Sequence, residues 1–195
     1  NSIKNIQLFQ RVMEYLVTNP SQTFSPTNMI NEFTKEKIPI SSKTIYECLD
    51  YAESSLLMTK ISTYDIRGKR ILSRKDKYYL ADLGLGQVLS INKKTQFGAY
   101  LENIVFNELI YRGYTVSVGN NNGKEIDFIA TKHNQKEYYQ VTYELSNRDT
   151  EEREFGAYAN IDDNYPKYVI STDKLDYSQN GIIHKNIIDW LLESK

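Results

Sequence analysis

The sequence predicts an α/β protein in two parts, and three observations predict it. Apolar residues recur at helical spacing in three short segments before residue 53, and two strand-like runs follow them. From Gly98 the helical stretch G-A-Y-L-E-N-I-V-F-N-E-L-I-Y-R leads into three strand-like runs separated by turn signals. A helix, a strand and a last helix close the chain, an order that gives an α/β/α sandwich around a mixed sheet. The expected division is 1–80, a packed connector at 81–97, and 98–195.

Each element of the first part has its own signal. Ile6, Leu8, Phe9, Val12, Met13, Leu16 and Val17 share a helical period from Ile3 to Val17, and Pro20 ends it. Ser25 caps a second helix with Pro26 at its first position, and Met29, Ile30 and Phe33 supply its buried face. Past Pro39 a third helix begins at Ser41 or Ser42, with Ile45, Cys48, Leu49 and Ala52 inward. The runs L-L-M-T-K-I-S-T-Y and K-R-I-L-S-R-K-D-K-Y-Y-L, joined by D-I-R-G, form a two-stranded ribbon. Three short helices and such a ribbon make a winged helix-turn-helix.

The ribbon carries Arg67, Lys69, Arg70, Arg74, Lys75 and Lys77, almost unopposed by acids, and a wing of that kind can lie along a phosphate backbone. Lys43, between Ser42 and Thr44, is a further candidate at the start of the third helix. Glu47, Asp50 and Glu53 line the outer side of that helix and would repel a duplex. The competing reading is a winged helix used for protein contacts, with the ribbon as a solvated hairpin. The connector A-D-L-G-L-G-Q-V-L-S-I-N-K-K-T-Q-F has two glycines and no clean period. It reads as a short irregular segment whose Leu83, Leu85, Val88, Leu89 and Ile91 call for burial.

In the second part Gly113 closes the helix, Asn120 to Gly123 makes a tight loop, and His133-Asn134-Gln135 separates the last two of the three runs. Three features there exceed what a core needs. Glu102 shares a helix face with Val105 and Leu109. Asp127 interrupts Ile126, Phe128 and Ile129 in the second run. Gln140 and Thr142, two apart in the third, point to one face while Tyr139, Val141 and Tyr143 point to the other. A carboxylate beside apolar faces costs several kcal/mol, on the order of its desolvation penalty, unless a cation or hydrogen bonds satisfy it. Next comes a helix capped by Asp149 or Thr150, then a strand K-Y-V-I-S-T started by Pro166. A turn region from Asp173 to Gly181 leads into I-I-H-K-N-I and a final helix with Trp190, Leu191 and Leu192.

A helix glutamate, then a strand aspartate, then a strand with D/E-x-K is the layout of the PD-(D/E)XK nucleases, and this stretch resembles it. K-Y-Y-L-A-D-L-G-L at 77–85, G-x-x-x-E-N-x-V-F-x-E-L, G-K-E-I-D-F and Y-Y-Q-V-T-Y look more closely like one family, as do D-N-Y-P-K-Y-V-I-S-T and G-I-I-H-K-N-I-I-D-W-L-L. That family is the conserved region of unknown function found C-terminal to the ATPase core in many bacterial and archaeal AAA+ ATPases. The resemblance implies that Asp127 is the first strand acid, Glu102 the helix glutamate, Gln140 the second acid's position and Thr142 the lysine's. It also makes Mg²⁺ the candidate ion, held by Glu102, Asp127 and Gln140, since Mg²⁺ takes hard oxygen ligands and stabilises the charge growing in phosphoryl transfer. Gln140 removes a negative charge and Thr142 removes the cation. Losing one such electrostatic stabiliser commonly costs about 3 kcal/mol, or about a hundredfold in rate. Lys124, Arg148 and Arg153 are the candidate replacements for that cation and, with the ribbon, the candidate nucleic-acid contacts.

A bland reading stands beside each residue. Glu102 is then a buried acid paired with Arg112, Lys124 or Arg148, and Asp127 a sheet-edge acid satisfied by backbone amides. Gln140 and Thr142 become cross-strand hydrogen-bonding partners, and Glu125, Arg153 and Glu154 a solvated surface cluster. His133 and His184 are isolated, which argues against zinc, and Cys48 lacks a histidine partner for nucleophilic chemistry.

Composition sets the outer bounds. The net charge of −1 means that any nucleic-acid contact comes from a local patch. The single cysteine excludes an internal disulfide and suits a reducing cytoplasm. No apolar run is long enough to span a bilayer. The chain opens at Asn1 inside a helical pattern, so a piece of a longer protein is expected. No G-x-x-x-x-G-K-[S/T] occurs, so ATP is expected only in an upstream ATPase domain, which is one candidate partner beside DNA. The expected function is an accessory module of that ATPase whose nuclease-like half and basic wing grip nucleic acid, with a degenerate nuclease-like site in which cutting is weak or lost. The alternatives are an active Mg²⁺-dependent DNase and a protein-interaction or oligomerisation module.

Overall fold

The computed structural model describes residues 5–19, 21–89 and 97–193. It is an α/β protein that divides into two compact units, Asn1–Lys60 with Arg74–Thr95 and Ile61–Ser73 with Gln96–Lys195.

In the first unit α1 (Ile6–Thr18), α2 (Pro26–Lys35) and α3 (Ser42–Ser54) each start at a residue whose side chain accepts from an otherwise orphaned backbone N–H. Asn5 accepts from Leu8, Ser25 from Asn28 and Ser41 from Thr44. Pro20, expected to end the first helix, lies outside the described residues. Val12, Leu16, Met29, Phe33, Ile45 and Leu49 form the core, joined by Met58 from β1 (Met58–Asp65) and by Tyr78 and Leu80 from β2 (Arg70–Leu80). Cys48 packs there too, and burial pushes its thiol pKa up, with Glu47 adding to the effect. Lys77, expected on the basic ribbon, is buried instead. The connector is helical rather than irregular: α4 (Leu83–Leu89) puts Leu83 against this core, and the Asp82 carboxylate accepts from the Gly84 amide at its start. Val88 and Leu89 have side chains outside the described residues, and Ile91 lies wholly outside them.

The second unit takes the distal ends of β1 and β2 and adds α5 (Phe97–Tyr111), β3 (Thr115–Asn121), β4 (Lys124–Lys132), β5 (Gln135–Val141), α6 (Arg148–Gly156), β6 (Lys167–Ser171), β7 (Ile183–Asn186) and α7 (Ile187–Leu192). The strands form one mixed sheet in the order β2-β1-β3-β4-β5-β6-β7. β3, β4 and β5 pair antiparallel through two tight turns, while β1 joins β3, and β6 and β7 extend β5, in parallel. The central residues of both turns have left-handed backbone: Asn122 and Gly123 at φ 54° and 85°, His133 and Asn134 at 47° and 66°. That is the twist-matched hairpin geometry asparagine and glycine favour.

Helices cover both faces. On one, Phe155 and Tyr158, from α6 and just past it, pack on Ile126, Ile129, Tyr138 and Val169. On the other, Phe106 of α5 meets Phe128 at 6.0 Å and Trp190 of α7 meets Tyr139 at 5.8 Å between ring centroids. α6 is capped by Asn147, whose side chain accepts from the Asp149 amide, and not by Asp149 or Thr150 as expected. Among the described residues no helix is long and apolar enough to cross a membrane.

Candidate functional site

The site begins as a fault in the sheet. Ser117 pairs with Ile129 and Gly119 with Ile126, so two steps along β3 oppose three along β4. This is a β-bulge, and its extra residue falls at Asp127–Phe128. It leaves both Ile126 and Ile129 facing α6, which strict alternation would forbid. Gly119 sits opposite: a Cβ there would meet the Cβ of Ile126 at 2.9 Å.

The β4–β5 ladder ends at the Phe128–Tyr139 pair. Beyond it, side chains replace the missing backbone partners. The Asp127 amide donates to Gln140 Oε1 at 2.7 Å, and the Val141 amide donates to Asp127 Oδ2 at 2.8 Å. Buried amides are thereby satisfied where the strands part. Gln140 Nε2 then donates to Glu154 Oε2 at 2.8 Å, and Glu154 Oε1 accepts from Arg153 Nε and Nη2 at 3.1 and 2.6 Å. The Glu154 carboxylate is only 6% exposed and the Arg153 side chain 71%, so a solvated guanidinium compensates a buried acid. Glu154 was expected on a solvated surface, and burial corrects that reading. The signal was present: Glu154 shares a helical face with Ala157 and Tyr158, three and four positions on. The Tyr158 hydroxyl donates to the Tyr168 carbonyl at 2.5 Å. Burial, then the charges of Asp127 and Glu154, hold its pKa well above the ordinary phenol value.

Asp127, Gln140, Glu154 and Arg153 line an open cleft of about 420 Å³. Glu102 enters from α5, Lys124, Glu125 and Asp127 from β4, Gln140 and Val141 from β5, and Arg153, Glu154 and Ala157 from the other face. The structure therefore brings Glu102, Asp127 and Gln140 together, with Lys124 and Arg153 of the proposed replacement cations beside them. Thr142 is buried, donates its amide to the Ile170 carbonyl, and does not line the cleft. Arg148 lines a separate depression with Leu145, Glu151 and Tyr177, and bonds Glu152 at 2.9 Å. Lys124 donates to the Gly156 carbonyl at 3.0 Å, and Arg112 bonds Glu108 at 2.7 Å and the Trp190 carbonyl at 2.6 Å.

The remaining candidates are spread over the fold. Lys43 lies 4.0 Å from Glu47, and Arg67, Lys69 and Lys75 are exposed. Arg70 lies 3.9 Å from Asp65, and the side chain of Arg74 is outside the described residues. His133 is exposed at the β4–β5 turn. His184 is buried, and its lowered pKa comes first from that burial, against the opposing charges of Asp173 and Asp176. Its Nδ1 accepts from the Tyr177 amide, which leaves Nε2 to donate to Ser171 Oγ at 2.8 Å, and Ser171 donates on to Asp173. That chain of bonds fastens β7 to β6 and the following turn.

The donor set fits Mg²⁺ poorly. Among the described residues no group of three or more His, Cys, Asp or Glu is arranged to hold a metal. Gln140 Oε1 is committed to an amide, Asp127 Oδ2 to another, and Glu154 to Arg153 and Gln140. What the arrangement does chemically is hold two strands apart and keep acids in a water-accessible cleft.

Residues 1–96 match the model of a domain of unknown function, DUF8612. An uncharacterised protein of Haemophilus influenzae is 36% identical over 192 residues, covering 98% of this chain and 47% of the relative. The chain thus spans about half the length of the curated relative it matches. No solved structure matches it.

Proposed function

We propose that the chain is the C-terminal region of a AAA+ ATPase, in which a winged helix precedes a PD-(D/E)XK-like module that holds nucleic acid without cutting it. The observation that carries this is the hydrogen-bonded chain from the Asp127 amide through Gln140 and Glu154 to Arg153. Gln140 Oε1 and Asp127 Oδ2 accept from backbone amides, and the two Glu154 oxygens accept from Gln140 and Arg153. Thr142, which the resemblance sets at the lysine's position, is uncharged, buried and away from the cleft lining. The missing stabilisation is on the order of 3 kcal/mol, or about a hundredfold in rate, which supports a module whose hydrolysis is weak or lost while the cleft and its surroundings persist. More than half of the relative lies outside the match, which leaves room there for an ATPase core.

Incubation with supercoiled plasmid, linear duplex and single strands in Mg²⁺ or Mn²⁺ is expected to leave all three intact. Gel shift at low salt is expected to show binding that weakens as salt rises. Cleavage that disappears in Asp127→Ala would overturn the non-hydrolytic reading. It would favour an active DNase in which Lys124 or Arg153, both at the cleft, supplies the cation. Absence of any salt-sensitive binding would favour a protein-interaction module.

A further inference from the structure

We infer that the tip of the β1–β2 hairpin is a phosphate-binding ledge built into the sheet beside the cleft, so that a nucleic-acid backbone lies across the sheet end. The inference rests on the nucleic-acid reading above and says where the backbone sits.

The sequence pictures a free wing, but the register says otherwise. Thr63, Tyr64 and Asp65 pair in parallel with Val118, Gly119 and Asn120, and the Ile66 amide donates to the Asn120 carbonyl at 3.0 Å. Asn120 in turn pairs with Glu125, one residue past Lys124. The hairpin turn therefore stands beside the Asn122–Gly123 turn, at the end of the sheet from which Lys124 and Glu125 reach the cleft. Tyr64 and Ile66 pack against the core under α6 and anchor the tip. Asp65 fixes the turn: its Oδ1 accepts from the Gly68 amide at 3.1 Å, and a Cβ on Gly68 would strike its Oδ2 at 2.4 Å.

What this rigid turn presents is cationic. Arg67, Lys69 and Arg70 are exposed, and with Lys124 they make four positive groups against Asp65 and Glu125. The cleft itself carries Glu102, Glu125, Asp127 and Glu154, with Arg153 spent on the last. Phosphate is therefore drawn to the ledge and kept out of the cleft floor. β1 is two strand spacings from β4, roughly 10 Å. Successive phosphates of one strand lie closer together than this span, so a single run of backbone can meet both the ledge and Lys124. Such contacts fix position without reading sequence.

The test measures affinity of the full chain for a fluorescent duplex and for its single strand across a salt series. The comparison is between wild type and the triple variant Arg67→Gln, Lys69→Gln, Arg70→Gln, with Lys174→Gln, an exposed lysine elsewhere, as control. Each lost phosphate contact flattens the slope of log K against log salt by about 0.9 on duplex or about 0.7 on a single strand. The triple variant should therefore flatten it by about two to three, with an unchanged melting temperature. The control should match wild type. A triple variant that keeps the wild-type slope overturns the ledge and leaves the nucleic-acid reading standing. A wild type without salt-dependent binding overturns both.

Discussion

Between the Asp127 amide and the Glu154 carboxylate, Gln140 must accept on one side and donate on the other. A glutamate has the length but only the acceptor. Gln140→Glu should therefore face its new carboxylate with that of Glu154 across about the present 2.8 Å contact. We expect a loss of roughly 1–3 kcal/mol near neutral pH, as for a buried polar group left without its partner. Burial beside a like charge raises the pKa of the new carboxyl over its unfolded value of about 4.3. The folded state then binds the extra proton, so the deficit is absent below that value and grows as pH rises through the folded pKa. Thermal melts of wild type and variant from pH 4 to 8 check it, and equal melting temperatures at pH 8 would refute it. Asp127 and Gln140 were legible as residues because they interrupt apolar runs. Glu154 was misread because a helix face that mixes charge with Ala157 and Tyr158 looks amphipathic until the buried side is known.

The element that makes the cleft is the bulge, and Gly119 permits it. Adding one methyl there drives it into Ile126 and against Ile129, with contacts of 2.9 and 3.2 Å. Both neighbours are buried and flanked by the α6 core, so they have little room to move. Gly119→Ala should cost about 1–3 kcal/mol, the usual penalty for overpacking. Gly98→Ala, on α5 with nothing within 4 Å, should be neutral or gain up to about 1 kcal/mol. Chemical denaturation of both variants checks the contrast, and a Gly119→Ala protein as stable as wild type would refute it. Helices and strands were readable because their periods are local. The bulge left a trace as well, since apolar residues at 126, 128 and 129 break the period of two. The capping of α6 by Asn147 was not readable, because N-R-D-T offers three acceptable caps within four residues.

At the scale of the whole molecule the sequence suggests a cut between 80 and 98, whereas the hairpin tip serves the later unit. Nothing local could have revealed this. Ile61 and Thr63 alternate inward as any half-buried strand does, and their unit's next strand, β3, lies some fifty residues on. The consequence is testable by expressing residues 97–195 alone. That piece loses the β1 partners of Val118, Gly119 and Asn120 and the side chains of Tyr64 and Ile66 from the α6 core. Three or four backbone bonds at about 1 kcal/mol each, with about 1.5 kcal/mol or more for each side chain, sum to about 6–7 kcal/mol. A domain's entire stability is about 5–15 kcal/mol. The bared β3 edge is also a template for pairing with other chains. The piece should therefore melt many degrees below the full chain or sediment as aggregates, and extending it to begin before β1 should restore a monomer. A monomeric 97–195 with the thermal stability of the intact chain would show that the tip merely rests on the sheet.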